Sequence, residues 1–110
     1  MSDFVEAARV DEIPVGKNIA VTVAGKAVAL FNVDGQIYAI DDTCPHAGAS
    51  LGGSGRLGGR IVTCSFHGMK IDVITGTFPA SEGFAVASYP VMILAGKIMV
   101  ALDAPQVKTG

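Results

Sequence analysis

The sequence predicts an all-β fold, and three observations carry that prediction. Proline, glycine and Asx residues cut the chain into segments of about five to eight residues, most of them rich in Val, Ile, Phe and Ala. An Asp34-Gly35 pair stands between two apolar runs, which is the pattern of a tight hairpin. Nowhere does a stretch of helical length keep a 3.6-residue apolar period.

The elements follow in order. Phe4 to Arg9 and Asn18 to Val23 read as strands, the second ending at the turn Ala24-Gly25-Lys26, after which Ala27 to Val33 resumes an apolar strand. Asp34-Gly35 supplies the positive φ angles of a type I′ turn, so Ala27 to Val33 and Gln36 to Ile40 form a hairpin, expected at the centre of a sheet. From Asp41 to Gly59 the periodicity stops, and a stretch with six glycines, Pro45, Ser50 and Ser54 reads as one long loop. A loop of this length inside a compact domain is functional or disordered, and a bound cofactor would order it. Arg60 to Thr63 reads as a strand, Cys64 to Gly68 as a second short loop, and Met69 to Val73 as a strand closed by Thr75-Gly76. After a turn at Pro79-Ala80, strands are expected at Ala85 to Tyr89, Val91 to Leu94 and, beyond Ala95-Gly96, at Lys97 to Leu102, before a polar tail from Ala104 to Gly110. Met92, Ile93, Met99 and Val100 are assigned to the core.

The chain has 110 residues, 50% of them hydrophobic and 16% charged, which excludes disorder as the main state and accommodates one domain over residues 1–110. At this size roughly two thirds of the unfolded surface can be buried. The longest apolar runs, Ala27 to Phe31 and Val91 to Ala95, are five residues each, whereas a membrane-spanning helix needs about 20. The first residues show no basic start followed by an apolar stretch, so no secretory signal is read and a cytoplasmic location is expected. With 8 basic against 10 acidic residues there is no cationic surface of the kind that binds nucleic acid, and neither nucleic acid nor membrane is an expected partner.

The chemistry lies in the cysteines and histidines, two of each. They fall into one pattern: Cys44-Pro45-His46, then seventeen residues, then Cys64-Ser65-Phe66-His67. Either half is a short chelating loop from which two side chains can reach one centre, so two soft thiolates and two imidazoles can converge. A reduced compartment disfavours a disulfide and leaves metal binding or catalysis. Three uses are open to such a set. A Cys2His2 zinc site usually places both cysteines in one chelate and both histidines in the other, whereas here each half mixes them. A Cys-His nucleophile pair would need only one of the two halves. A [2Fe-2S] cluster can divide the set unevenly, thiolates on one iron and imidazoles on the other.

In this pattern the chain resembles the Rieske ferredoxin family, whose motif is Cys-x-His, about fifteen to seventeen residues, then Cys-x-x-His. The likeness runs from about Phe4 to Leu102 and includes Cys64-Ser65-Phe66-His67-Gly68, Ile71-Asp72, Thr75-Gly76, Pro79-Ala80 and Tyr89-Pro90-Val91. It implies stacked antiparallel sheets with a cluster-binding tip made of loops 43–55 and 64–69. By the resemblance Cys44 and Cys64 bind the buried iron, His46 and His67 bind the outer iron through Nδ1, and Pro79 sits on a third loop covering the cluster. Phe66, beside the ligands, would shield it from water. High-potential members carry an extra cysteine pair at positions that are Ala49 and Phe66 here, and sulfur-directed hydroxyls at positions that are Met69 and Ile71. Loss of those hydrogen bonds implies a potential toward the low end of the family range of about −150 to +300 mV.

Four protein ligands leave no open metal position, so substrate chemistry on this chain is not expected and one-electron transfer is. The resemblance implies the ferredoxin component of a ring-hydroxylating dioxygenase, a monomer taking electrons from a flavin reductase and passing them to a terminal oxygenase. A small subunit of an assimilatory nitrite reductase, also a Rieske-fold chain, is the alternative. Arg56, Arg60, Lys70, Asp42 and Glu82, in or beside the loops, are candidates for steering these encounters.

Overall fold

The computed structural model describes residues 3–43, 50–64, 68–79 and 85–103. Its strands are β1 (Phe4–Arg9), β2 (Asn18–Val23), β3 (Lys26–Val33), β4 (Gln36–Asp41), β5 (Arg56–Gly58), β6 (Ile61–Thr63), β7 (Lys70–Asp72), β8 (Ser88–Tyr89), β9 (Val91–Leu94) and β10 (Lys97–Ala101). All pairings are antiparallel, in three sheets ordered β1-β10-β9, β2-β3-β4-β8 and β5-β6-β7. The expected all-β class and stacked antiparallel sheets are therefore observed.

The β2-β3-β4-β8 sheet is the middle layer. Along β3, Val28 and Leu30 pack into one core with Ile98 and Val100 of β10, while Ala29 and Phe31 pack into a second core with Val62 of β6 and Ile71 of β7. Side chains alternate faces along a strand, so a strand covered on both faces must be apolar at every position. That is why Val28 to Phe31 shows no alternation and is fully buried, whereas Ala27, near the start of the strand, is exposed. The hairpin turn between β3 and β4 forms as expected, with φ of 53° at Asp34 and 93° at Gly35. Buried Asn32 fastens it, accepting from the Gly35 N–H at 2.8 Å and donating to the Ile13 carbonyl at 2.8 Å.

Several expectations are corrected. The stretch from Asp41 to Gly59 is not wholly loop: Leu51–Ser54 form a single helical turn, α1, and Arg56–Gly58 form β5. Glycine-rich composition hid both, because neither element has enough apolar side chains to show a period. Arg60 belongs to the β5–β6 turn rather than to a strand, and Val10–Glu12 make a short 3-10 turn. The strand expected over Ala85 to Tyr89 is regular only at Ser88–Tyr89, with Ala85 in an isolated bridge to Thr77. Met92 and Ile93 are 41% and 48% exposed rather than core, because β9 is the edge of its sheet and lies uncovered; on the central strand Val100 is buried, but Met99 is only half-buried and belongs to neither core. Among the described residues no helix is long and apolar enough to cross a membrane.

Candidate metal centre

Cys64 is the one predicted ligand within the described residues; Cys44, His46 and His67 lie outside them, as do Ala49, Phe66 and Glu82. Its position follows from the alternation of β6. Val62 points into the core between the β2-β3-β4-β8 and β5-β6-β7 sheets, Thr63 points outward, and Cys64 turns inward again, 2% exposed, into the same core as Leu51, Ile71 and Phe78. The Cys64 N–H donates to the Met69 carbonyl at 2.7 Å, and Gly68 takes a φ of 67°, so the base of the second loop is closed on the body of the sheet.

The first loop is gripped at its base from several sides. Thr43 and Ser50 form an isolated antiparallel bridge. The Asp42 carbonyl accepts from the Leu51 N–H at 2.7 Å, and its carboxylate Oδ1 accepts from the Gly52 N–H at 2.8 Å. Ser50 caps α1, its Oγ accepting from the Gly53 N–H at 2.9 Å. From β2, Asn18 Nδ2 donates to the carbonyls of Gly52 at 2.8 Å and Gly55 at 3.3 Å. Gly52 lies so close to the Ile19 carbonyl that a Cβ there would collide with it. The base of the first predicted ligand loop is thus pinned to the middle sheet, and that of the second is closed between β6 and β7.

This sorts the charged residues. Asp42 is 7% exposed and spent on backbone N–H groups, so it positions the loop rather than steering partners. Arg60 Nε donates to Asp72 Oδ2 at 2.9 Å, and Asp72 Oδ1 accepts from the Ile74 N–H at 2.9 Å, closing the turn after β7. Arg56 and Lys70 are exposed and have no such pairing among the described residues. Behind the first loop, Tyr89 donates to Asp41 Oδ1 at 2.5 Å and Lys26 Nζ lies 3.4 Å from the same oxygen. The Tyr89 hydroxyl and then the Asp41 carboxylate raise the Lys26 pKa above its ordinary value. Burial first, and then the bond to Asp41, raise that of Tyr89.

The roles of Asn18, Asp42 and Ser50 were not read from the sequence. A capping serine two residues before a Gly-Gly pair was the only available signal, and Asn18 acts from a strand 34 residues away from Gly52.

A soft thiol held in apolar surroundings, with its own N–H already satisfied, suits a cluster ligand, because the metal neutralises a thiolate that would otherwise be costly to bury. Three antiparallel layers with this cysteine on a pinned turn define a Rieske-type domain. Residues 3–90 match the Rieske [2Fe-2S] domain family, and the chain belongs to it. It is 38% identical over 103 residues to the ferredoxin component of the naphthalene 1,2-dioxygenase system of Pseudomonas aeruginosa, covering 91% of this chain and 96% of that one. The Sphingomonas yanoikuyae B1 ferredoxin superimposes with a TM-score of 0.80 at 31% identity, covering 90% of this chain and 98% of that one. A chain in the complex of reduced oxygenase and oxidized ferredoxin of carbazole 1,9a-dioxygenase superimposes with a TM-score of 0.82 at 27% identity, covering 98% of this chain and 100% of that one. Family membership decides for the [2Fe-2S] cluster and against the zinc and nucleophile readings.

Proposed function

We propose that Cys44, His46, Cys64 and His67 hold the [2Fe-2S] cluster, within a single domain over residues 1–110. We further infer that the chain is a monomeric cytoplasmic carrier of single electrons from a flavin reductase to a terminal ring-hydroxylating oxygenase. The observation that carries this reading is near full-length similarity to ferredoxin components, joined to a buried Cys64 whose backbone is tied to Met69. When bound, the cluster supplies one reversible electron and no open site for substrate. The chain's own residues keep Cys64 away from water, fix the base of the first loop through Asp42, Asn18 and Ser50, and close the base of the second through the bond from the Cys64 N–H to the Met69 carbonyl. A rigid surround limits the rearrangement that accompanies electron gain or loss, and a monomer can present one face to two partners in turn.

The test has two parts. Cys64→Ala and His67→Ala are each expected to abolish cluster incorporation, and a variant that retained its full iron content would contradict the ligand assignment. The visible band of the holoprotein is expected to bleach with the flavin reductase and its reduced nicotinamide donor, and to recover on adding the terminal oxygenase. Copurification with a large sirohaem subunit, and no exchange with those partners, would instead identify the nitrite reductase accessory.

A further inference from the structure

The outer face of the β5-β6-β7 sheet carries a feature that the cluster reading does not use. Cross-strand register places Arg56, Thr63 and Lys70 in one row, and Gly58, Ile61 and Asp72 in the next. Leu57, Val62 and Ile71 alternate with these and pack against or into the core, so both rows share the solvent face. Because Gly58 has no side chain, a shallow groove of about 360 Å³ opens here, lined by Arg56, Leu57, Gly58, Ile61, Thr63 and Lys70.

Its two cations are unspent. Among the described residues Arg9, Lys26, Arg60 and Lys97 each lie within 4.0 Å of a carboxylate, whereas Arg56 and Lys70 do not. Asp72, the carboxylate on their own face, is taken by Arg60 and by the Ile74 N–H. Lys17 also lacks a carboxylate, but it stands alone before β2. A chain of net charge −2 therefore presents a local pair of positive charges over an apolar floor. Two strand spacings separate the row's ends by about 9 to 10 Å, so an anion centred over Thr63 would sit about 5 Å from each. Thr63 immediately precedes Cys64, and Lys70 follows the Met69 that holds the Cys64 N–H.

We propose that this groove is a docking surface for an acidic segment of a redox partner, with a Glu or Asp side chain seated over Thr63 between Arg56 and Lys70. The proposal rests on the chain being an electron carrier. Its consequence is orientation: a carboxylate-bearing partner is drawn by the local field and set against the strands that flank Cys64.

The experiment uses the isotope-labelled oxidised holoprotein and hexaglutamate as the acidic probe, with hexalysine as control, followed by amide chemical shifts at low ionic strength. Hexaglutamate should shift Arg56, Gly58 and Ile61, bind at least about tenfold more weakly to the Arg56→Glu/Lys70→Glu double variant, and be unmatched by hexalysine. Shifts centred elsewhere, or indifferent to the double substitution, overturn the proposal. In parallel, the dithionite-reduced protein is mixed with hexacyanoferrate(III), which accepts one electron and becomes hexacyanoferrate(II). The second-order rate should fall about tenfold in the double variant, and the difference should collapse at high salt; equal rates overturn the proposal. A protein with no visible band to bleach contradicts the carrier reading instead, and the hexaglutamate titration then still decides the groove.

Discussion

Asp42 binds two successive backbone N–H groups, one through its carbonyl and one through its side chain, and this fixes where the chain leaves β4 and where α1 begins. Removing the carboxylate orphans the N–H of Gly52, itself buried, at a cost of about 1–3 kcal/mol. Asp42→Ala should therefore lower stability by that amount in denaturant titration, and Asp42→Asn, which keeps an acceptor oxygen, should recover most of it. Equal losses in the two variants would show that the hydrogen bond is not what the site needs. Met69 is the complementary case, since its carbonyl does the positioning while its side chain packs against the core that contains Cys64. A hydroxyl donor to a cluster sulfur stabilises the more negative, reduced state. Met69→Ser should accordingly raise the midpoint potential, and voltammetry showing an unchanged or lower value would contradict it. The four candidate ligands Cys44, His46, Cys64 and His67 stand out by residue type and spacing, whereas the roles of Asn18 and Asp42 depend on which backbone atoms the fold brings beside them.

The strands show what local chemistry can and cannot specify. β1 and β2 begin and end where their alternation and flanking polar residues indicate, and β3–β4 turn at Asp34-Gly35 as their chemistry demands. β5 and α1 escape such reading because tertiary packing makes them: β5 is one of three short strands held by register with β6, and α1 lies against β2 at Gly52. Met92 and Ile93 fail the opposite test, since an apolar strand has no way of announcing that it will be an edge. The β9–β10 turn offers a direct check, because Ala95 adopts a φ of 52° that alanine disfavours. Ala95→Asn should stabilise the protein by about 0.5–1 kcal/mol in thermal unfolding, and a loss of stability would exclude strain at that turn. The Lys26-Asp41-Tyr89 network joins β3, β4 and β8, and its pH dependence has a definite sign. Both Lys26 and Tyr89 have raised folded-state pKa values, above ordinary values of 10.5 and 10.0. Their contribution is complete below about pH 10 and is lost as pH rises through the folded values, when the lysine loses its charge and the phenol ionises beside a carboxylate. Stability should decline in that alkaline window, less steeply for Tyr89→Phe; identical pH profiles would remove the network from the account.

At the scale of the molecule, three sheets divide the labour. The β1-β10-β9 sheet and the middle sheet enclose one core, and the middle sheet with β5-β6-β7 encloses the other, which contains Cys64. Cys64 is the one candidate ligand among the described residues, and it belongs to the core between the middle sheet and β5-β6-β7. Fold class was legible because punctuation and alternation are local properties. Stacked sheets were expected only through the family resemblance, and the apolar run of β3 takes its meaning, burial on both faces, from the layers on either side of it.

Electron transfer by this chain depends on the proposed mixed thiolate and imidazole ligation of a two-iron cluster by Cys44, His46, Cys64 and His67. This ligation is tested most directly by iron and sulfide analysis of the purified protein, combined with pulsed electron paramagnetic resonance after one-electron reduction. Two irons and two acid-labile sulfides per chain are expected, as a [2Fe-2S] cluster requires, with magnetic coupling to nitrogens of two imidazoles. A reduced cluster with no imidazole nitrogen coupling, or a colourless protein holding a single zinc, would contradict it.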